Sequence, residues 1–397
     1  MLFQQTRVMI HASLASLPRR FALSASMALS VALVVMTLAG FLAMAKGFEV
    51  ALAGAGSPRV AVILGGGTNQ ESGSAIPPGA LHALSALSGD PGLARNTAGD
   101  LLLSREIVVP VDVADVKSGA SRTLALRGMD ATGAAIRDTV TLTQGLMFSG
   151  GRRDIVIGAK IARALGLYVG DVLRLGPVDW TVSGEFSAGG SAFESEIWAD
   201  LEAVRAAFDR QGEVQSVKLR LNDPMALERL QQYLAGVAET PLVAVSEADL
   251  YAGQSARTAS LIRLFGWPLA GLMAFGASAG ALNTMMSSVS ERAVEIATVR
   301  ALGFSRLAAF IATGVEAMVL ALVGTVLGIG LSLIAFNGWQ ASTIGANNAR
   351  MAFDLAVTPD VMLSAGLIGL VIGLVGGALP ALAATRQPLA AALGGRG

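Results

Sequence analysis

The chain has 397 residues, of which 53% are hydrophobic and only 15% charged, where a soluble domain would carry about 25% charged residues. Lysine plus arginine number 29, as do aspartate plus glutamate, and no basic block stands out, which argues against nucleic acid as a partner. Cysteine is absent, so disulfides, thiolate metal sites and thiol nucleophiles are excluded.

Residues 1–20 read as an amphipathic lead-in on a cytoplasmic surface, with Val8, Ile10, Leu14 and Leu17 against Arg7, His11 and Arg19. Residues 21–45 carry no charge and are long enough for a first membrane span. Ala43-Met44-Ala45 imitates a signal-peptide cleavage site, but an apolar run of about 25 residues exceeds the 7–15 of a signal core. The segment is expected to stay as an anchor.

Residues 46–263 form a domain of their own, long enough for a separate core. Strand signals fall at 59–64, 106–113, 123–127, 214–221 and 242–245, and helix signals at 78–88 and 224–234. Between them, 154–185 reads as a strand, the helix Ala159–Leu165 and a hairpin; 195–208 reads as a strand end and a helix. The mixture predicts an α+β domain, with its two rounds of strand and helix as a pair of small lobes. The loop Gly65-Gly66-Gly67-Thr68-Asn69-Gln70 follows a strand but lacks the Gly-Lys-Ser/Thr of a phosphate loop, so it reads as a surface turn. No Walker A sequence occurs anywhere in the chain. His11 and His82, the only histidines, are expected on opposite sides of the membrane, where they cannot cooperate.

The stretch 246–263 looks helical and should run directly into a second span, 264–286. A third span follows at 307–336, a short external loop at 337–360, a fourth span at 361–385 and a tail at 386–397. The fold class is therefore an α-helical membrane protein of four spans, with an α+β extracytoplasmic domain between spans one and two. Arg7, Arg19, Arg20, Arg292, Arg300, Arg306, Arg386 and Arg396 all fall on one side of this scheme. The positive-inside rule then makes both termini and the 287–306 segment cytoplasmic. Each of spans two to four carries a G-x-x-x-G spacing: Gly276 and Gly280, Gly324 and Gly328, Gly373 and Gly377. Such pairs let helix backbones approach closely, within a subunit or across a dimer. Glu316 is the one acid inside a span, where an unpaired charge costs about 2.5–3.5 kcal/mol, so it is a functional candidate: it reads either as structurally paired, reaching interfacial water or an arginine, or as a carrier of transport chemistry.

The segment between spans two and three concentrates charge: Glu291, Arg292, Glu295, Arg300 and Arg306. Ser288 with Glu291 reads as a capping box that starts a short amphipathic helix, and Gly303 as its stop. Ala293, Ile296, Ala297 and Arg300 share one face; Glu291, Glu295 and Thr298 share another.

The run NTMMSSVSERAVEIATVRALGFSR resembles the signature of the FtsX-like, MacB-type ABC transporter permease family. The match is carried by Ser288, Val289, Glu291, Arg292, Glu295, Ile296, Arg300, Ala301, Leu302 and Gly303. A second match, to the family's periplasmic domain, runs through Gly158, Ala162, Leu165, Gly166, Leu167, Gly170, Asp171, Trp180, Val182 and Gly184. A third, at the family's closing segment, uses Pro380, Ala381, Ala384, Pro388 and Leu389. The resemblance implies a non-catalytic, multi-pass permease subunit of the inner membrane, with its large domain in the periplasm. It implies that the 287–306 helix sits on a separate ATPase, which would bind ATP and magnesium; the chain itself needs no cofactor. Implied partners are that ATPase, a second permease in a homo- or heterodimer, membrane lipids, and an optional periplasmic adaptor or substrate carrier. The substrate would be a lipid, lipoprotein or small molecule. A regulator of a cell-wall hydrolase and a membrane-anchored sensor remain the alternatives.

Overall fold

A computed structural model of the chain describes residues 2–85, 87, 92–114, 121–237, 241–345 and 348–386. It begins with helix α1 (Leu2–Ala15) and helix α2 (Phe21–Ala53), then strand β1 (Val60–Gly65), α3 (Pro78–Ser85), β2 (Leu103–Ala114), β3 (Ser121–Met129) and β4 (Thr141–Gly145). There follow β5 (Asp154–Gly158), α4 (Ala159–Leu165), β6 (Val172–Leu175), β7 (Val178–Ser187), β8 (Glu196–Asp200) and α5 (Leu201–Ala207). The chain continues through β9 (Ser216–Arg220), α6 (Ala226–Val237) and β10 (Leu242–Ser246) to the long helix α7 (Glu247–Glu291). It closes with α8 (Ala293–Ala301), α9 (Arg306–Phe336), β11 (Gln340–Ile344), β12 (Arg350–Asp354) and α10 (Pro359–Arg386).

Two compact units result. A helical unit holds Met1–Lys46, Ser260–Trp339 and Leu355 onward; an α/β unit holds Gly47–Ala259 and Gln340–Asp354. Among the described residues four helices are long and apolar enough to cross a membrane, those around α2, α7, α9 and α10. The closing residues Pro388 and Leu389, Arg396 and the expected tail from 387 lie outside the described residues.

In the helical unit, two of the three glycine pairs are helix contacts within the chain. A Cβ on Gly324 would stand 2.4 Å from the carbonyl oxygen of Ala28 on α2, and one on Gly328 2.6 Å from that of Ala32. Gly373 and Gly377 of α10 meet Ala321 and Ala317 of α9 at 2.3 and 2.4 Å in the same sense. Here glycine is required because a backbone or another small residue occupies the space of a side chain. Gly276 and Gly280 on α7 differ, since a Cβ on either would meet no described atom within 4 Å. Their neighbours Leu272 and Phe275 are exposed as well, at 69% and 76%.

In the α/β unit all of β1 to β10 join one mixed sheet, in the order β10-β1-β9-β2-β3-β8-β5-β7-β4, with β6 paired to β7. The two-lobe expectation is corrected: the strands of both rounds are hydrogen-bonded into a single sheet. The two rounds survive as two apolar cores. One gathers Ile107, Leu126, Ile157, Trp180 and Val204; the other Ile63, Val217, Leu219, Leu230 and Leu234. Most neighbouring strands are antiparallel, with β3–β8 and β5–β7 parallel. The expected helix at 78–88 is described only to Ser85, with 86 and 88 outside the described residues. Strand β4 escapes sequence reading because TLTQG holds one apolar side chain, Leu142, and is fully exposed at the sheet edge. Gly166 takes φ +68 after α4, and the amide of Leu167 bonds the carbonyl of Ala162 at 3.0 Å, which is how glycine closes a helix. Asp171 accepts from the Tyr168 amide at 2.9 Å, the turn role that its sequence context implies.

The expected short loop at 337–360 contains a hairpin. β11 and β12 pair in antiparallel register, Gln340 opposite Asp354. β12 is held in the α/β unit by Ser195, whose hydroxyl donates to the Ala352 carbonyl at 3.1 Å and accepts from the Ala352 amide at 3.0 Å. Phe353 is fully buried, edge-on to Phe48 at 5.5 Å between ring centroids.

Candidate functional site

The charged segment between α7 and α9 is built differently from its sequence reading. Ser288 does not cap a new helix, because α7 continues through it to Glu291. The break comes at Arg292, with φ −98 and ψ 8, and α8 starts at Ala293 without a side-chain cap. The capping pattern is overridden because Ser288 is only 6% exposed and its hydroxyl and carbonyl both accept from the Arg20 guanidinium. The helix break also separates Glu291 from Glu295, so the like charges do not stack on one continuous helix. Gly303 ends the segment as expected, with φ +96, and α9 is then capped by Ser305, which accepts from the Ala308 amide at 3.1 Å.

The signature residues fall into two sets. Ser288, Val289, Ile296 and Ala297 are buried, and Val289 and Ile296 pack with Ala384 of α10. Glu291, Val294, Glu295, Thr298, Ala301, Leu302 and Gly303 are exposed. Leu302 is 76% and Val294 57% exposed, on the same segment as the exposed carboxylates of Glu291 and Glu295. Arg292 and Arg300 are half-buried.

Arg292 ties the segment to the intramembrane acid. Its guanidinium donates to Glu316 Oε2 at 2.9 Å and to Ser13 Oγ at 2.8 Å, while Ser13 Oγ itself donates to Glu316 Oε2 at 2.5 Å. Glu316 is 3% exposed, so its charge is removed from water and answered by one arginine and one hydroxyl. Arg292 also reaches Glu295 at 3.4 Å. Gln5 of α1 adds a second tie: its amide donates to the Gly303 carbonyl and accepts from the Ser305 amide, both at 3.3 Å. The lead-in helix thus belongs to the same cluster as α8 and α9, through Gln5 and Ser13. Sequence reasoning missed these two because uncharged polar residues on an amphipathic helix carry no signal of what they bind.

The α/β unit holds a second cluster that the sequence did not announce. Arg127, Arg137 and Lys218 meet Glu71, Glu106, Glu196 and Glu247 in the interior of the sheet. Arg127 is fully buried and donates to Glu196 at 2.7 and 2.8 Å, to Glu71 at 3.0 and 3.1 Å, and to Glu106 at 2.8 Å. Lys218 reaches Glu247 at 2.9 Å and Glu71 at 3.3 Å. The Arg137 guanidinium lies over the rings of Phe193 and Trp198 at 5.1 and 5.4 Å. Burial alone would raise the Glu106 carboxyl, but Arg137, Lys218 and Arg127 hold it down at about 2. Glu71 is lowered in the same way, its burial outweighed by Arg127 and Lys218. Burial pushes the Tyr251 phenol up beside these charges. The cluster contains no group of three or more acids and histidines arranged to hold a metal among the described residues.

Residues 24–237 match the family model of the MacB-like periplasmic core domain, and residues 268–389 that of the FtsX-like permease C-terminal region. The chain therefore belongs to the family of ABC transporter permeases that join a MacB-like periplasmic core to an FtsX-like transmembrane region. Among curated proteins it is 27% identical over 227 residues to the macrolide export ATP-binding/permease protein MacB of Photorhabdus laumondii, covering 55% of this chain and 34% of that protein. It is 26% identical over 264 residues to the MacB protein of Bordetella avium, covering 62% of this chain and 39% of that protein. The chain thus spans well under half the length of these relatives. Among solved structures, the periplasmic region of MacB from Actinobacillus actinomycetemcomitans overlaps 50% of this chain and 92% of its own, with 12% identity and a TM-score of 0.37. The extracellular domain of the transporter YknZ from Gram-positive bacteria overlaps 47% of this chain and all of its own, with 13% identity and a TM-score of 0.34. Overlaps this loose add nothing to the family assignment, which rests on the sequence matches.

Proposed function

We propose that the chain is the permease subunit of a MacB/FtsX-type transporter, coupled to an ATPase carried on a separate polypeptide that binds ATP and magnesium. The supporting observation is the division of the signature segment. One half is fastened by Arg20–Ser288, Arg292–Glu316 and Gln5–Gly303, while the other half presents Glu291, Val294, Glu295 and Leu302 outward. A rigid seat with an exposed mixed surface is what a push from a docked subunit requires. Force applied to α8 passes into α9 through Glu316 and into α1 through Ser13 and Gln5. Both α7 and α2 continue as unbroken helices from their apolar stretches into residues of the α/β unit, so they are the routes by which that unit is moved. The membrane is the inner membrane, the two termini are cytoplasmic and the α/β unit is periplasmic. The product of coupling is mechanical work on an exported or extracted substrate, and no chemistry is assigned to the chain.

Co-purification tests this. The chain is expressed with the ATP-binding protein encoded beside it, purified through its own tag, and compared with Glu291→Lys. Wild type is expected to bring down an ATP-hydrolysing complex, and the variant to lose the ATPase or its coupling at unchanged expression. A well-folded chain that brings down no ATPase overturns the reading in favour of a sensor or anchor.

Pairing with a second permease is assigned to the outward face of α7, where Gly276 and Gly280 lie open. Gly276→Leu is expected to leave the melting temperature of the purified chain unchanged while reducing the paired species in cross-linking and mass photometry. Gly324→Leu should instead lower the melting temperature strongly, because the Ala28 carbonyl cannot yield space; overpacking costs about 1–3 kcal/mol and often more against backbone. Equal effects of the two substitutions would refute this division of roles.

A further inference from the structure

The α/β unit contains a cavity of about 370 Å³ that the coupling reading does not use. This size falls in the range of small-molecule sites, about 300–1,000 Å³. Its walls are mixed: Phe48 and Leu52 at the end of α2, Phe193, Val245, Leu250 and Met351 form an apolar part, and Tyr251, Gln254 and Thr258 are polar. The glycine loop after β1, which reads as a plain surface turn in the sequence, supplies Thr68, Asn69 and Gln70 to the lining. Arg257 on α7 and Arg350 on β12 also line it, both exposed to solvent at its rim. Among the described residues neither guanidinium has an ion pair or a side-chain hydrogen bond, although most other arginines of this unit have one.

The acids of the lining are already answered. Glu196 is gripped by Arg127 and by the Trp198 indole at 2.9 Å. Asp249 stands in the first turn of α7, where the helix dipole favours a negative charge, and accepts from the Ser246 hydroxyl at 2.6 Å. The cavity therefore joins an apolar part of its wall to two rim cations that have no protein partner among the described residues. Val243 and Ile344, 40% and 66% exposed, extend the apolar lining to solvent. Arg257 also stands about two helical turns before the apolar stretch of its own helix in sequence.

We infer that this cavity binds the acyl chain of an anionic amphiphile, with Arg257 and Arg350 holding its carboxylate or phosphate head. An apolar chain accounts for the walls and a negative head for the unpaired guanidiniums, which bind planar or tetrahedral oxyanions through paired N–H donors. A neutral drug would make no use of the two rim cations, and a free anion would leave the apolar part of the wall unfilled. The inference deepens the permease reading by naming the class of ligand the α/β unit handles, and it rests on that reading for its role in transport.

The test uses the full chain in nanodiscs of phosphatidylcholine and a long-chain fatty acid carrying a diazirine near its end. Irradiation is expected to label peptides containing Phe48–Leu52 and Ile344–Met351. The methyl ester of the same probe should label these peptides far less. R257E/R350E should weaken labelling there by about tenfold, the scale of one charge-assisted hydrogen bond. Gly253→Trp offers a second variant, because Gly253 lines the cavity and its added Cβ meets no described atom within 4 Å. It should block labelling while leaving the melting temperature unchanged. Competition by unlabelled phosphatidylglycerol, against unlabelled fatty acid, tells a lipid headgroup from a free fatty acid as the natural source. Labelling confined to the apolar stretches, or equal in wild type and both variants, overturns the inference. ATPase co-purification is read on the same preparations. A complex that hydrolyses ATP without cavity labelling removes this site and keeps the permease reading; labelling without any ATPase does the reverse.

Discussion

Arg127→Met is expected to destabilise the α/β unit by about 3–5 kcal/mol, the cost of removing one partner from a buried ion pair. The side chain is fully buried and answers Glu196, Glu71 and Glu106 at once. Methionine matches its length but leaves three carboxylates short of a cation. Lysine should rescue little, since a single ammonium cannot reproduce five N–H donors fixed in one plane. Tryptophan fluorescence gives a readout of melting for the full chain in detergent, with the other three tryptophans replaced by Phe to isolate Trp198, which stacks on Phe186 at 4.0 Å and bonds Glu196.

The same cluster sets an acid limit. The Glu106 carboxyl is held at about 2 and Glu71 is also lowered. A carboxyl whose folded value lies below its unfolded one contributes stability above the unfolded value, near 4.3, and loses it as pH falls toward the folded value. Wild-type stability is therefore expected to decline between about pH 4.5 and 2. Arg127→Met should begin to fail at higher pH, because its acids must take up protons to remain buried. Identical acid transitions in the two proteins would show that Arg127 is not the cation that holds these carboxylates.

The contrast between what was and was not legible follows from which forces leave a periodic mark. Spans, strands and the helix stop at Gly303 are written in apolar period and in glycine's backbone freedom, and the structure carries them at or near the expected positions. The single sheet was not legible, because strand signals from both rounds are alike whether or not they pair; β9 joins β1 and β2 across more than a hundred residues of chain. The charge cluster was hidden in plain residues: Arg127 in LALRGM and Lys218 in SVKLRL each sit on a buried strand, where a charge between apolar neighbours is the only hint. The capping pattern at Ser288 misled because local propensity yields to a tertiary contact, here the guanidinium of Arg20. Of the proposed coupling residues, sequence alone could not separate Ser288 and Ile296, which anchor, from Glu291 and Leu302, which are presented. That division depends on what packs behind the segment.

Arg292→Ala is expected to be the most disruptive change in the signature segment, more so than Glu291→Lys on folding. It leaves Glu316, 3% exposed, with only the Ser13 hydroxyl, and an uncompensated buried carboxylate costs about 3–5 kcal/mol. Glu316→Gln should cost much less, because Arg292 is part-exposed and keeps Glu295 at 3.4 Å and Ser13 at 2.8 Å. The double variant should therefore melt above Arg292→Ala, a coupling that a double-mutant cycle isolates. ATPase coupling in the complex should behave differently. The double variant regains stability but not the tie between α8 and α9, so it should fold, retain the partner and still fail to transmit the push. A double variant no more stable than Arg292→Ala would show that the pair is incidental to folding. One that restored both stability and coupling would show that force leaves α8 by another contact, with Gln5 at Gly303 and Ser305 as the next tie to cut.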